Sequence, residues 1–306
     1  MKCIYCHKET NSISHWHKSC LKEFFGADEL PKFDFDYLEA ATNEIKSSNS
    51  VTGVQMKFSP SSLLNIINND DKTTYRYSDS YIIKINTKEY PYIAELEFLT
   101  MTLAKIYGIN TPGFALIKNK DKEYIYIIKR FDRRNNEKIH VEDFAQLSNY
   151  PTENKYHSSY EKVASIIDKY DMESSKAVDK YQLFIRLLFC FVSLNSDMHL
   201  KNFSLIEEGN KIYLSPQYDL LAVQLIFNDQ EETALTINGK KRNLSRGDFI
   251  KYGNFIGINK PERIVDNLLK YEDKFIKEIK ESLIPDEAKE KFIKSMKERF
   301  SRLKNN

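Results

Sequence analysis

Asp197 and Asn202 stand five residues apart in Leu194-Asn195-Ser196-Asp197-Met198-His199-Leu200-Lys201-Asn202, a polar stretch after an apolar helical run and before a strand pattern. A carboxylate and an amide at that spacing in one loop suit phosphoryl transfer. The aspartate orients and deprotonates an acceptor hydroxyl, and the asparagine turns back to hold Mg2+ on the phosphates. Lys201 is placed to meet the transferred group. Mg2+ takes hard oxygen ligands, so a second carboxylate is required. Asp219 supplies it in Ser215-Pro216-Gln217-Tyr218-Asp219-Leu220-Leu221, just past the strand that follows the loop.

A third element of such chemistry is a strand lysine that meets nucleotide phosphates and pairs with a helix glutamate. Lys84 in Tyr81-Ile82-Ile83-Lys84-Ile85 has that setting, and the following helix offers Glu95 and Glu97. Residues two apart on a helix do not share a face; Glu97 is the preferred partner. A phosphate-covering loop is expected in Ser50-Val51-Thr52-Gly53-Val54-Gln55-Met56-Lys57, which has a single glycine and no G-x-G-x-x-G pattern. Taken singly, each feature has a bland reading: loop residues are solvated and a strand lysine snorkels to water. Their order along the chain is what favours phosphoryl transfer.

The elements that must position these residues fall into two patterns. Stretches 54–58, 74–77, 81–85 and 124–128 are rich in β-branched and aromatic residues and read as strands. Between them, Leu96, Leu99, Leu103 and Ile106 recur at helical spacing in a helix expected over 92–107, which ends at Gly108. Beyond Asp132 long amphipathic helices are expected at 158–170, 178–195 and 261–305, interrupted by a strand pair at 203–206 and 211–214. The expected fold class is α+β and two-lobed: a head and connector at 1–49, a small β-rich lobe at 50–131 and a larger helical lobe at 132–306.

The 306 residues carry 46 Lys and Arg against 44 Asp and Glu, a net charge of +2 that gives no reason to expect nucleic-acid binding by this chain. There is no run of eighteen apolar residues and no apolar leader, so no membrane span is expected and a cytoplasmic location is. Three of the four cysteines lie in the head, where Cys3-x-x-Cys6 and His17-x-x-Cys20 could hold one Zn2+ through three thiolates and an imidazole. The alternative is a set of unligated residues in a head that docks on the small lobe.

Read together, the segments 50–57, Ile83-Lys84, Ile128-Lys129-Arg130-Phe131-Asp132-Arg133, His140-Val141-Glu142-Asp143-Phe144-Ala145-Gln146, Asn195 to Asn202 and Leu214 to Leu220 resemble the HipA-like serine/threonine kinases of bacterial toxin–antitoxin modules. The resemblance runs from about Ser50 to Gly257 and implies a two-lobed protein-kinase-like fold that binds ATP and Mg2+. It implies Asp197 as the catalytic aspartate, with Asn202 and Asp219 as Mg2+ ligands. It places Lys84 on the phosphates under Thr52, Gly53, Val54, Gln55 and Lys57, with His199 and Tyr218 beside the nucleotide. Lys129, Arg130 and Phe131 would form the adenine hinge; Lys129 stands where the family carries a glutamate, which leaves adenine to backbone groups. Family members silence themselves by phosphorylating a serine of the covering loop, a position matched by Ser50, with Thr52 a second hydroxyl. The short stretch before Ser50 is too small for the N-terminal module of full-length HipA. The chain therefore resembles HipT, the short kinase of HipB–HipS–HipT systems, which implies a HipS-like partner, a HipB-like DNA-binding partner and a protein acceptor such as an aminoacyl-tRNA synthetase. Small-molecule kinases share the same acidic set, and an inactive ATP-binding scaffold is the non-enzymatic alternative.

Overall fold

The strand Tyr81–Ile85 carries tyrosine and isoleucines on one face and Lys84 on the other, so both of its faces need cover. A computed structural model shows how each is covered; it describes residues 2–12, 14–30, 57–58 (backbone), 80–118, 122–134, 137–227 and 230–304. The described elements are α1 (Lys18–Phe25), β1 (Lys57–Phe58), β2 (Tyr81–Ile85), α2 (Ile93–Tyr107), β3 (Phe114–Lys118) and β4 (Tyr124–Lys129). After two-residue strands β5 (Arg133–Arg134) and β6 (Glu137–Lys138) come β7 (His140–Asp143), α3 (Phe144–Leu147), α4 (Tyr160–Tyr170), α5 (Glu173–Val192), β8 (Ser204–Glu208) and β9 (Lys211–Leu214). Helices α6 (Arg246–Phe255), α7 (Pro261–Leu269), α8 (Glu272–Lys280) and α9 (Asp286–Lys304) complete the chain. Two compact units result, one of residues 1–98 with 112–137, the other of 99–111 with 138–306.

In the first unit the sheet order is β1-β2-β4-β3, antiparallel throughout its described pairings. Registers Ile83↔Ile127, Ile85↔Ile125, Ala115↔Ile127 and Ile117↔Ile125 gather one apolar face, and the head's Trp16, Leu21, Phe24 and Phe25 pack on it. On the other face Lys84 lies opposite Tyr126, and Phe98 from the start of α2 meets Phe114 edge-on at 5.7 Å. Covering both faces explains why these strands read as nearly continuous apolar runs. β3 was not among the expected strands, although its Phe114-Ala115-Leu116-Ile117 is buried.

The second unit is built on α5, whose Leu183 to Phe189 face lies in the core. A Cβ at Gly253 of α6 would sit 2.5 Å from Pro261 Cβ and 3.0 Å from Phe184 Cε2, so only glycine allows that approach. Strands β7, β8 and β9 form an antiparallel sheet, and β7 runs into α3 through a capping box: Gln146 N–H donates to Asp143 Oδ1 at 2.9 Å and Asp143 N–H to Gln146 Oε1 at 2.8 Å. Asp143 and Gln146 of the His140 to Gln146 motif thus have a local structural role. The single helix expected over 261–305 is three helices. The chain turns at Lys270-Tyr271, and Pro285 has no N–H and pushes the residue before it out of the helical region.

Candidate active site

In the helical unit, α5 ends at Ser193 and Leu194 takes a left-handed conformation (φ 62°), which turns the chain into the loop of Asp197. Asn195 fixes the start of that loop: its Oδ1 accepts the Asp197 N–H at 3.1 Å. The backbone carbonyl of Asp197 accepts the His199 N–H at 2.9 Å and Asn202 Nδ2 at 2.8 Å. Asn202 commits its Nδ2 to the loop, which leaves Oδ1 as the atom able to ligate a metal. The five-residue spacing is therefore a structural clasp that ties Asn202 to the backbone of Asp197.

The Asp197 side chain is 37% exposed, and Tyr156 donates its hydroxyl to Oδ1 at 2.5 Å. That is the contact an acceptor hydroxyl makes with a general base. His199 lies at the same place, with Nε2 4.0 Å from Asp197 Oδ1 and its ring edge-on to Tyr156 at 5.0 Å. Burial, then the positive charge of Lys155, pushes His199 down to about 4, with Asp219 acting in the opposite direction. The imidazole is neutral at pH 7, so its approach to Asp197 is not an ion pair. Its Nδ1 is buried with no hydrogen-bond partner among the described residues.

Asp219 also adopts a left-handed conformation, φ 59°. A non-glycine residue held there stores on the order of 1 kcal/mol, and such strain concentrates at functional sites. The chain leading to it is bracketed by three bonds: Leu214 N–H to Asp179 Oδ2 at 2.9 Å, Arg186 Nη2 to the Ser215 carbonyl at 2.8 Å, and Gln217 N–H to the Asn110 carbonyl at 2.7 Å. Burial pulls Arg186 down to about 10, and burial followed by the neighbouring Asp171 pushes Asp179 up to about 7. Tyr218 donates to the Lys201 carbonyl at 3.1 Å and meets Ser204 Oγ at 2.5 Å, so its hydroxyl braces the loop. Asn202 Oδ1 and the Asp219 carboxylate are hard oxygen donors of the kind that Mg2+ takes.

The sheet unit holds the second set. Lys84 Nζ donates to Glu97 Oε1 at 2.6 Å, with the lysine side chain 6% and the glutamate 0% exposed, and the ammonium lies 5.8 Å from the Tyr126 ring centroid. Glu95 points elsewhere and accepts from Asn86 Nδ2 at 2.8 Å. Lys57 pairs with Lys84 in the β1–β2 register, whereas Ser50, Thr52, Gly53, Val54 and Gln55 lie outside the described residues. At the end of β4, Lys129 is exposed and donates its N–H to the Gly113 carbonyl at 2.7 Å. Arg130 makes two bonds to Asp132, at 2.9 and 2.7 Å, and Arg133 a third at 2.6 Å; burial notwithstanding, the arginines hold the Asp132 carboxyl below its usual range. Arg130 is thus committed to the turn, beside a half-buried Phe131.

The head gathers the remaining candidates. The ligand atoms of Cys3, Cys6, His17 and Cys20 all lie within 4.8 Å of one another. Burial raises the Cys3 thiol, but backbone N–H groups of Cys6, His17 and Tyr5 outweigh it and draw it down to about 7. Burial and then the neighbouring sulfurs push Cys20 up to about 12.

Sequence reasoning missed Tyr156, Asn195, Asp179 and Arg186. Arg186 did carry a signal, as an arginine inside Leu183-Phe184-Ile185-Arg186-Leu187-Leu188; a charge on a buried helix face needs a partner. Tyr156 carried none.

A small antiparallel sheet with a buried Lys–Glu pair and a helical unit with an Asp-x-x-x-x-Asn loop followed by an aspartate are the parts of a kinase-like fold. Comparison with known proteins agrees. Residues 49–279 match the family described as HipA-like C-terminal domain, and the chain belongs to that family. A Haemophilus influenzae protein described as "Putative kinase" is 27% identical over 287 residues, covering 83% of this chain and 81% of that protein. The serine/threonine-protein kinase toxin HipA of Shewanella oneidensis is 24% identical over 210 residues, 62% of this chain and 46% of the toxin, so the chain spans under half of that relative's length. Among solved structures, the S. oneidensis HipA of a complex with HipB and operator DNA superposes with a TM-score of 0.66 at 21% identity, covering 90% of this chain and 72% of that one. The Helicobacter pylori proinflammatory kinase CtkA gives 0.52 at 17% identity, covering 74% and 88%. At these identities the structures establish the fold. No helix among the described residues is long and apolar enough to cross a membrane.

Proposed function

We propose that the chain is an ATP-dependent serine/threonine protein kinase and the toxin of a HipBST-like module, acting in the cytoplasm. The observation that carries the reading is the Lys84–Glu97 pair. A hydrophobic pair fills such a space at no loss of stability, so a buried ammonium on a strand points to an anionic ligand. ATP supplies the phosphoryl group, and Mg2+ neutralises the charge on its phosphates. Lys84 grips the phosphates beneath Thr52 to Lys57, and Asn202 and Asp219 hold the metal. Asp197 takes the proton from an acceptor serine or threonine hydroxyl as its oxygen attacks the γ-phosphorus and the bond to the β-phosphate oxygen breaks, releasing ADP. Lys201 meets the charge on the transferred group, and backbone groups near Lys129 to Phe131 receive adenine. Phosphate on Ser50 or Thr52 adds about −1.5 to −2 charges where ATP must sit and so silences the enzyme. The acceptor class is a protein hydroxyl, with an aminoacyl-tRNA synthetase as the first candidate; the partners are HipS-like and HipB-like proteins. To Cys3, Cys6, His17 and Cys20 we assign one Zn2+ on their donor chemistry.

Phosphoproteomics of cells expressing the chain or its Asp197→Asn variant tests this. Protein serine or threonine phosphosites that vanish with the variant are expected, together with a transfer rate lower by about 10²–10⁴-fold. Phosphate found only on small molecules would move the chain to the aminoglycoside or lipid kinase class. ATP bound without transfer would make it a scaffold.

A further inference from the structure

Nothing in the phosphoryl-transfer chemistry uses the head, yet its donor atoms are arranged with care. Its first residues form a hairpin, with a bridge between Lys2 and Glu9, Cys3 N–H bonded to the Lys8 carbonyl at 2.7 Å and His7 N–H to the Cys3 carbonyl at 2.9 Å. That tight turn brings two thiols together, and α1 begins directly after His17, so His17 and Cys20 share its first turn. The sulfurs of Cys6 and Cys20 lie 3.4 and 3.6 Å from His17 Nδ1. Its Nε2 lies 2.9 Å from the Glu9 carbonyl, which can only accept. The proton is therefore on Nε2, and the Nδ1 lone pair faces the sulfurs. An outer carbonyl that fixes the tautomer of a ligating imidazole in this way is characteristic of metal centres. Sulfurs on a tetrahedral zinc stand about 3.8 Å apart, a small contraction of the set seen here. Four protein ligands leave no open position, which marks a structural ion.

What that ion would fasten is visible on the sheet. Trp16, Phe24 and Phe25 are buried together with Tyr81 and Ile83 of β2 and with Ile125 and Ile127 of β4. Tyr81 donates its hydroxyl to the Phe24 carbonyl at 2.6 Å, and a Cβ at Gly113 would come within 3.3 Å of the Phe24 ring. A head with one two-turn helix has too little core to hold this shape alone. We propose that the zinc closes the head into a rigid staple on the sheet face opposite Lys84, holding β2 in place for its ion pair with Glu97. This rests on the zinc assignment made above and is independent of the acceptor.

The test uses the whole chain and readouts other than turnover. Trp16 is the sole tryptophan and is 2% exposed, so its emission reports the docked head. Elemental analysis of protein purified without chelator is expected to give one zinc per chain. Removing it with a chelator under reducing conditions is expected to shift Trp16 emission to the red and to speed amide exchange in residues 81–85 by about tenfold or more. Adding Zn2+ back restores both, and Cys6→Ser reproduces the stripped state. No zinc on purification, with no response of the reduced chain to added Zn2+, overturns the metal assignment. One zinc whose removal leaves Trp16 emission and exchange at 81–85 unchanged overturns the staple while the assignment stands.

Discussion

Replacing Lys84 with methionine takes the cation from beside a carboxylate that is 0% exposed and 2.6 Å away. At an effective dielectric constant of about 20, two unit charges at this separation attract by on the order of 6 kcal/mol, much of which offsets the desolvation of both groups. Removing one partner forfeits the attraction and leaves the other's desolvation cost in place. Lys84→Met is therefore expected to destabilise the sheet unit by about 3–5 kcal/mol. Glu97→Leu falls in the same range, whereas the double variant, with neither charge, recovers at least half of that loss. Urea unfolding followed by Trp16 emission suits the measurement, because the only tryptophan lies in the same unit as the pair. A cost of about 1 kcal/mol or less for Lys84→Met, or a double variant equal to the sum of the singles, would refute a buried, coupled pair. All three variants are expected to lose phosphoryl transfer, so the double variant separates stability from chemistry: its fold is restored and its activity is not.

His199, held at about 4 against an ordinary 6.5, stays neutral in the fold while the unfolded chain takes up a proton below about pH 6.5. Stability from this group is therefore complete above pH 6.5 and falls as the pH drops towards 4, by on the order of 2 kcal/mol at pH 5. The gap between pH 7 and pH 5 in unfolding free energy by circular dichroism should shrink by that amount in His199→Gln, and an equal gap in both proteins would be contrary evidence. The Tyr156 hydroxyl occupies an oxygen of Asp197, the residue proposed as the base for the acceptor hydroxyl. Tyr156→Phe is expected to lower KM for the acceptor a few-fold with kcat little changed; a fall in kcat alone would show instead that the phenol positions the aspartate.

Much of the framework was legible because periodicity reports which face of an element is buried. The helix expected over 92–107 is Ile93–Tyr107, and the strand at 81–85 falls on its expected residues. Helical geometry could say only that Glu95 and Glu97 do not share a face, not which of them meets Lys84; the two carboxylates do part, Glu97 to Lys84 and Glu95 to Asn86. β3 escaped notice because its Phe114-Ala115-Leu116-Ile117 neither alternates nor is rich in β-branched residues, with alanine and leucine, both good helix formers, at its centre, whereas β4 is built of tyrosine and isoleucine. The four-residue α3 is too short to show a period at all; its signature lies in the Asp143–Gln146 capping pair.

The residues that hold the candidate site in shape were illegible for a different reason. Arg186 and Asp179 lie seven apart on one face of α5, and each bonds the backbone about thirty positions away, at Ser215 and Leu214. A periodic pattern records burial and says nothing of the distant partner that makes burial of a charge tolerable. Those two bonds, with Gln217 on Asn110, hold the chain that carries Asp219 in its left-handed conformation. A strained aspartate persists only where its surroundings over-determine it. The spacing of Asp197, Asn202 and Asp219 is what suggests phosphoryl transfer, while the placement of Asp219 rests on a buried arginine and aspartate that bond the backbone before it.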